Sequence, residues 1–461
     1  MEHSFTHLVD AQRKFFAQGH SRDYNFRRKQ LCTLKRMLKK HRAQIIAALA
    51  QDLGKPSFEA YISDWYLCMQ ELNIALTNLH NWIKPKYVSA APFFLWGSRS
   101  CIHAEPYGVS LIIAPWNYPI NLIIIPLIHA IAAGNCAILK PSELAPHTAS
   151  LLTRLIQDYF PADYITVIEG DMHAAQALLQ ERFDYIFFTG SKRVGPEIMK
   201  AAARHLTPLT LELGGKNPCI IDASASVKNV AWRIMWGKFF NAGQNCLAPD
   251  YVMIHQSLYQ EFVRHAIDAL KSMYGSISQE SLDYARIVSD THMERLINLL
   301  PHSTIVYGGT YDRASRYFTP TLITDISLGH ASMKEEIFGP ILPIITYESL
   351  DQVKEYVQAH PDPLTLYIFS NHQKAIDYVM RTIRSGSVCI NDTLLQATNS
   401  YLPFGGIGSS GFGAYHGKKG FDTFSHQRSV IHSSSYTGLL RYPPYRWIHQ
   451  LLRSFLQVLV K

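Results

Sequence analysis

Cys246 closes the run F-F-N-A-G-Q-N-C, and Gly243 just ahead of it permits a tight backbone. A thiol at such a turn has peptide N–H groups nearby. Those donors favour the thiolate, the competent nucleophile. Upstream, Glu212 stands at the end of an apolar strand in L-E-L-G-G-K-N-P, followed by Gly214 and Gly215. A carboxylate among apolar neighbours has a raised pKa, which suits a general base working near neutral pH. Asn117 lies in P-W-N-Y-P, where its amide can donate to a developing oxyanion and the two prolines hold it rigid. Each residue also has a plain reading: an inert small thiol, a satisfied surface carboxylate with a glycine turn, and a turn asparagine.

Three further segments have the chemistry of a dinucleotide site. A-I-L-K-P-S-E places Lys140 and Glu143 just after a strand, where a ribose can be held. F-T-G-S-K-R-V-G places Gly190, Ser191 and Gly195 at a strand-to-helix turn, where backbone N–H groups can receive a pyrophosphate. This is not a G-x-G-x-x-G run, and a glycine pair alone is a weak signal. E-E-I-F-G-P offers Glu336 as a second ribose ligand and Phe338 as an apolar wall.

The elements that must position these residues read as α/β. Strands are expected over 108–114, 136–139, 165–168 and 185–188, with helices after the P-W-N-Y-P turn, over 148–159 and 174–180, and from about Pro196. Short apolar strands alternating with helices call for a parallel sheet covered on both faces. A second β/α series is expected from Leu211 to Asp392. Residues 26–53 read as one long helix with Leu31, Leu34, Leu38, Ile45, Ile46 and Leu49 inward. Its cations Arg27, Arg28, Lys29, Lys35, Arg36, Lys39, Lys40 and Arg42 read as a solvated face, with contact to an acidic surface as the alternative.

Composition narrows the class. The chain has 461 residues, 47% hydrophobic and 17% charged, which excludes intrinsic disorder and a disulfide-stapled miniature fold. The net charge of +8 is spread along the chain and gives no nucleic-acid patch. The apolar stretch 109–133 is broken by Pro115, Asn117, Pro119, Asn121 and Pro126, short of the ~20 apolar residues a membrane-spanning helix needs. Seven scattered cysteines with no C-x-x-C pair give neither a zinc nor a disulfide framework, and no metal site is expected. With no signal core at the N-terminus, a cytoplasmic location is expected.

Taken together, PWNYP, LELGGKNP, FNAGQNC, EEIFGP and LPFGGIGSSG resemble the aldehyde dehydrogenase superfamily in order and separation, over roughly residues 20–445. Finer features resemble its class 3 branch of fatty and aromatic aldehyde dehydrogenases. These are the absent N-terminal extension, Ala248-Pro249-Asp250-Tyr251 after the cysteine, the run 411–426, and RYPP at 441–444.

The resemblance implies a Rossmann-like cofactor domain (1–83 and 106–211), a catalytic domain (212–396), an oligomerisation arm (84–105 and 397–430) and a tail (431–461), assembled as a homodimer. It implies Cys246 as nucleophile, Glu212 as base, and Asn117 with the Cys246 N–H as oxyanion hole. It further implies Lys140 and Glu336 at the riboses, and Gly190 and Ser191 at the pyrophosphate. Thiohemiacetal formation, hydride loss to the cofactor and thioester hydrolysis then yield a carboxylic acid. Glu212 argues against a thioester-forming reductase, and the three intact catalytic residues argue against a silent binding relative.

Glu143 should repel a 2′-phosphate and favour NAD. Lys192 and Arg193 depart from the small residue the family commonly carries, and leave NADP open. Tyr118, Trp236, Phe240 and Phe404 fall at or near these motifs, as pocket walls for an apolar aldehyde or as plain core. In the tail, Trp447, Ile448, Leu451, Leu452, Phe455, Leu456, Val458 and Leu459 share one half of a helical wheel. Such a helix can lie in a membrane interface, cover the substrate entrance or pack on a partner subunit.

Overall fold

The computed structural model describes residues 4–89, 97–276, 278–327, 329–433 and 442–443. The expected helix over 446–461 lies outside these residues.

Two sheets carry the molecule. In the first, strands Leu209–Leu213, Tyr185–Gly190, Val109–Ile113, Cys136–Lys140 and Ile165–Val167 run parallel in that spatial order, with Gly411–Phe412 antiparallel at the edge. Val109–Ile113 and Cys136–Lys140 are buried along their whole length, as a sheet covered on both faces requires. Helix Asn121–Ala133 is buried all round and stops at Gly134, whose φ of +97° is costly for other residues. The second sheet has the order Thr304–Tyr307, Thr321–Thr324, Ile341–Tyr347, Tyr251–His255, Pro218–Ile221, Thr365–Phe369, Ser387–Ile390, parallel except for the first strand. A third, small sheet joins Lys86–Val88, Arg99–Pro106 and Ser425–His432.

Three expectations are corrected. The long helix over 26–53 is two helices, Tyr24–Lys40 and Arg42–Leu53. They part at His41 (φ −106°, ψ 16°), whose ring hydrogen-bonds Gln44 and the Tyr159 hydroxyl. Arg27 belongs to no solvated face. It is buried and donates to the Ser21 and Ala132 carbonyls, while Arg28, Lys35, Arg36, Lys39 and Lys40 line a concave surface around Cys32. Strand Leu209–Leu213 belongs to the first sheet, because it pairs with Tyr185–Gly190; the second β/α series begins at Pro218. Gly411–Phe412 pairs with the first sheet and helix Gly417–Thr423 packs on Asn121–Ala133, leaving Ser425–His432 to the small sheet, which therefore continues past 430.

All seven cysteines are free. Among the described residues no helix is long and apolar enough to cross a membrane.

Candidate active site

The first sheet is wound to both sides of Val109–Ile113. Later strands go to one edge through Cys136–Lys140, then to the other through Tyr185–Gly190. Ligands in open parallel sheets bind beyond the carboxyl ends of the strands at such a switch point. The expected residues gather there: Asn117 follows the central strand, Lys140 ends the next with Glu143 just beyond it, Gly190 ends Tyr185–Gly190 with Ser191 just beyond it, and Glu212 lies one residue from the end of Leu209–Leu213.

The cysteine loop is built on left-handed backbone. Asn241, Ala242 and Gly243 have φ of 54°, 52° and 73°, a conformation that costs non-glycine residues energy and persists only when fixed by surroundings. Gly243 is obligatory, since a Cβ there would run into the Gly339 carbonyl. The Asn241 N–H donates to Glu59 (2.9 Å), and its side chain to the Asn117 carbonyl (3.0 Å). Gln244 donates to the Arg286 carbonyl (2.9 Å) and accepts from the Val288 N–H (3.0 Å). Asn217 grips the far side, donating to the Cys246 carbonyl (2.7 Å). Burial first, then the negative charges of Glu336 and Glu212, push the Cys246 thiol up, while the Cys246 and Leu247 N–H groups pull it down. The sulfur thus has both donors and carboxylates around it.

Asn117 is buried and donates one amide hydrogen to the Gln244 carbonyl (3.1 Å); the second hydrogen of the amide has no acceptor among the described residues. Its carbonyl accepts from Lys55 (2.9 Å), which is paired with Asp64 at 2.8 Å, both side chains fully buried. The other Asp64 oxygen accepts from the Ile120 and Asn121 N–H groups (both 3.2 Å). This clamp fixes the P-W-N-Y-P turn. Asp64→Asn would set an amide NH2 against the buried ammonium, so a loss of about 3–5 kcal/mol in unfolding free energy is expected. Denaturant unfolding checks this, and a change below ~1 kcal/mol removes the clamp from the account. Asn117→Ala should lower kcat by about 10²–10³, the usual scale for one oxyanion donor; an unchanged kcat refutes its role.

Glu212 is buried with neither carboxyl oxygen hydrogen-bonded, and burial raises its pKa well above the ordinary carboxylate range. Gly411, its cross-strand partner, closes on the Leu211 carbonyl so tightly that a side chain there would collide. Glu336 reaches the same region, accepting from the Gly215 N–H (3.3 Å), and Gly214 lacks the Cβ that would occupy the place of its carboxylate. Burial and Asp250 raise Glu336 to about 8. Lys238 is buried without a hydrogen-bond partner, and its pKa falls to about 8 through burial.

Lys140, Glu143 and Glu336 are of the charged, hydrogen-bonding types that a ribose needs, while Gly190 and Gly195 are held to glycine by packing within the protein. Gly195 opens helix Gly195–Ala203 and packs so closely on Leu213 that a Cβ would crowd it; a Cβ at Gly190 would strike Phe188. Lys140 is buried, bonds the Pro141 carbonyl (2.7 Å) and lies 3.8 Å from the half-exposed Glu143. Lys192 turns to the Ser409 hydroxyl (3.2 Å), and Glu336 acts on its charge. The Val194 and Gly195 N–H groups are spent on the Ser191 carbonyl. Phe338 packs edge-on against Trp116 at 5.4 Å.

A cavity of about 440 Å³ opens onto the thiol, and Tyr118, Trp236, Phe240 and Phe404 all line it with Cys246. Trp236 and Phe240, four residues apart, meet edge-to-face at 5.6 Å.

Residues 2–430 match the family described as "Aldehyde dehydrogenase family". The chain belongs to the aldehyde dehydrogenase family. It is therefore an oxidoreductase that oxidises aldehydes with NAD or NADP. It is 45% identical over 96% of both chains to 4,4'-diaponeurosporen-aldehyde dehydrogenase of Staphylococcus aureus. It is 42% identical to "Aldehyde dehydrogenase, dimeric NADP-preferring" of Rattus norvegicus, over 96% of this chain and 98% of the relative. Among solved structures, "Substrate bound state of Staphylococcus Aureus AldH" superposes with a TM-score of 0.95 at 44% identity, covering 98% of this chain and 99% of that one.

Several residues that build this aldehyde dehydrogenase site escape a reading of the sequence. Asn217, Asn241 and Gln244 sit inside the motifs and were legible only as motif letters. Lys55, Glu59 and Asp64 belong to no motif, and nothing in their spacing announces that they bury their charges against Asn117 and Asn241.

Proposed function

We propose that this aldehyde dehydrogenase oxidises apolar aldehydes, aliphatic or aromatic, to carboxylic acids, preferring NAD. The observation that carries the reading is the shared cavity, in which an aromatic wall and the Cys246 thiol face the same space. The name of the Staphylococcus aureus relative, an enzyme acting on a diaponeurosporen aldehyde, supports an apolar substrate.

Each residue has a step. The Cys246 thiol gives up its proton to solvent water and the sulfur adds to the carbonyl carbon. The free amide hydrogen of Asn117 and the Cys246 N–H hold the oxygen as it becomes negative. Lys140, Glu143 and Glu336 would hold the riboses, and the Gly190–Gly195 turn the pyrophosphate. A bound NAD would supply the acceptor for the hydride that leaves the carbonyl carbon. The thioester left on Cys246 is hydrolysed by water that surrenders its proton to Glu212. Glu143 beside Lys140 favours a free 2′-hydroxyl, and the turn of Lys192 toward Ser409 takes one cation out of competition for a 2′-phosphate.

The decisive experiment is absorbance at the NADH band with NAD or NADP and a panel from acetaldehyde through hexanal and hexadecanal to benzaldehyde and cinnamaldehyde. Turnover rising with apolar size is expected. Turnover confined to small or charged aldehydes overturns the assignment. The name of the rat relative supports a homodimer here, with the exposed strand Ser425–His432 as its surface; sedimentation as a monomer would overturn that. A cytoplasmic location is supported by the seven free thiols. Peripheral membrane contact through 446–461 rests on the amphipathic pattern, and fails if deleting those residues leaves liposome co-sedimentation unchanged.

A further inference from the structure

Helix Tyr24–Lys40 carries no acidic residue, and its Arg28, Lys35, Arg36, Lys39 and Lys40 line one concave surface of about 780 Å³ together with helix Leu67–Trp82. No Asp or Glu lines that surface, and among the described residues none of these cations has a hydrogen bond or an ion pair. Lys35 and Lys39, like Arg36 and Lys40, stand four apart on the helix, a spacing at which like charges repel. An anion placed among them relieves that repulsion.

The cationic surface lies beside the opening of the substrate cavity. Of the residues that line the cavity, Tyr66 and Thr398 are exposed, which marks where it reaches solvent. Gln70 also lines the cavity and donates to the Thr398 carbonyl (2.9 Å). It shares one stripe of helix Leu67–Trp82 with Asn73 and Thr77, which line the cationic surface. Gln70 and Asn73 are about 4.5 Å apart along the helix axis. The opening has an apolar rim: Leu395, Tyr401 and Leu402 are exposed and stand within two residues of the lining residues Leu394 and Ser400.

We propose that this face docks on an anionic phospholipid bilayer. Headgroup phosphates sit among Arg28, Lys35, Arg36, Lys39 and Lys40, the apolar rim turns to the acyl boundary, and apolar aldehydes enter the cavity from the membrane. The entry step rests on the reading that the cavity takes apolar aldehydes. Cations beside exposed apolar side chains are what a headgroup–acyl boundary accepts. A soluble polyanion matches the cations but leaves the rim in water. An apolar protein surface covers the rim but leaves the cations unpaired.

The test is co-sedimentation of the purified full chain with vesicles of phosphatidylcholine, alone or with phosphatidylglycerol added, at low and high salt. Binding to the anionic vesicles only is expected, falling as salt rises. Each cation near such a surface strengthens binding about fivefold, so Arg36→Gln/Lys39→Gln/Lys40→Gln is expected to weaken it about a hundredfold. All three side chains are exposed, so hexanal oxidation in solution should not change and serves as the check on folding. With hexadecanal presented in the anionic vesicles, kcat/KM should fall about tenfold in the variant, in step with the lost docking. Should the triple variant lose hexanal oxidation too, the single Lys39→Gln, expected to weaken binding about fivefold, takes its place. Vesicle binding unchanged by the substitutions, or equal on neutral vesicles, overturns the docking face. Tight binding of soluble polyphosphate by a chain that ignores the vesicles overturns it as well. Lost docking with hexadecanal turnover unchanged overturns entry from the membrane. A chain that oxidises neither aldehyde overturns the proposed function, and the vesicle measurements still decide the docking face.

Discussion

Replacing Cys246 with alanine is expected to abolish aldehyde-dependent NADH formation, by about 10⁴-fold or more, while NAD binding stays measurable. The size of the effect follows from the mechanism. Without the sulfur there is no tetrahedral adduct, so no carbon–hydrogen bond is placed for hydride loss. No other cysteine lines the cavity, and Cys68, Cys136 and Cys219 are buried elsewhere with burial raising their thiols. The variant should fold normally, since the loop is held by Asn217, Asn241 and Gln244 rather than by the thiol. Retained NADH formation in Cys246→Ala would sink the covalent mechanism. Loss of NAD binding together with activity would mean that the variant tests the fold instead.

The residues that were readable in advance are those whose chemistry demands a particular type at a particular place. Gly243 is legible because only glycine tolerates both φ +73° and the press of the Gly339 carbonyl. Gly195 is legible because a helix must start against Leu213 without a Cβ. The strands of the first sheet could be read because burial on both faces writes continuous apolar runs. What stayed hidden depends on distant partners. Whether Leu209–Leu213 opens a new sheet or closes the old one is decided by hydrogen bonds to Tyr185–Gly190, which leave no local trace. The break at His41 depends on Tyr159, far along the chain. Lys55 and Asp64 look like surface charges until the fold places them under the P-W-N-Y-P turn.

The aromatic residues show the same division. Their spacing allowed a pocket or a core equally well. Tyr118 and Phe404 are buried and pack within the first core, yet both also face the cavity with Cys246. A residue can serve both purposes, so periodicity alone could not separate them.

Glu212→Gln separates the two halves of the reaction and carries the second large effect. The variant keeps the nucleophile and oxyanion donors, so a first burst of NADH, about one per active site, is expected at near wild-type speed. Steady turnover should then fall by about 10²–10⁴, the contribution of a positioned general base. The thioester should accumulate on Cys246, visible as an acyl mass increment. The same replacement at Glu336 is expected to act on KM for NAD and leave the burst coupled to turnover.

The pH dependence of stability gives an independent reading of the Glu212 site. Burial raises the Glu212 carboxyl in the folded state, while the unfolded chain titrates near 4.3. Between those two values the folded state holds the proton that the unfolded state has released. Stability is fully present below the unfolded value and declines as pH rises through the folded one. Glu212→Gln removes that decline, so its Tm should fall less than that of the wild type as pH is raised from acid to alkaline. A variant slower in hydrolysis yet more resistant to alkaline unfolding is what a buried, unpaired base requires. Equal pH profiles of Tm would mean that the carboxyl is solvated, and would remove the reason for its raised pKa. A parallel loss of the burst would instead place Glu212 in the first half-reaction, as the acceptor of the thiol proton.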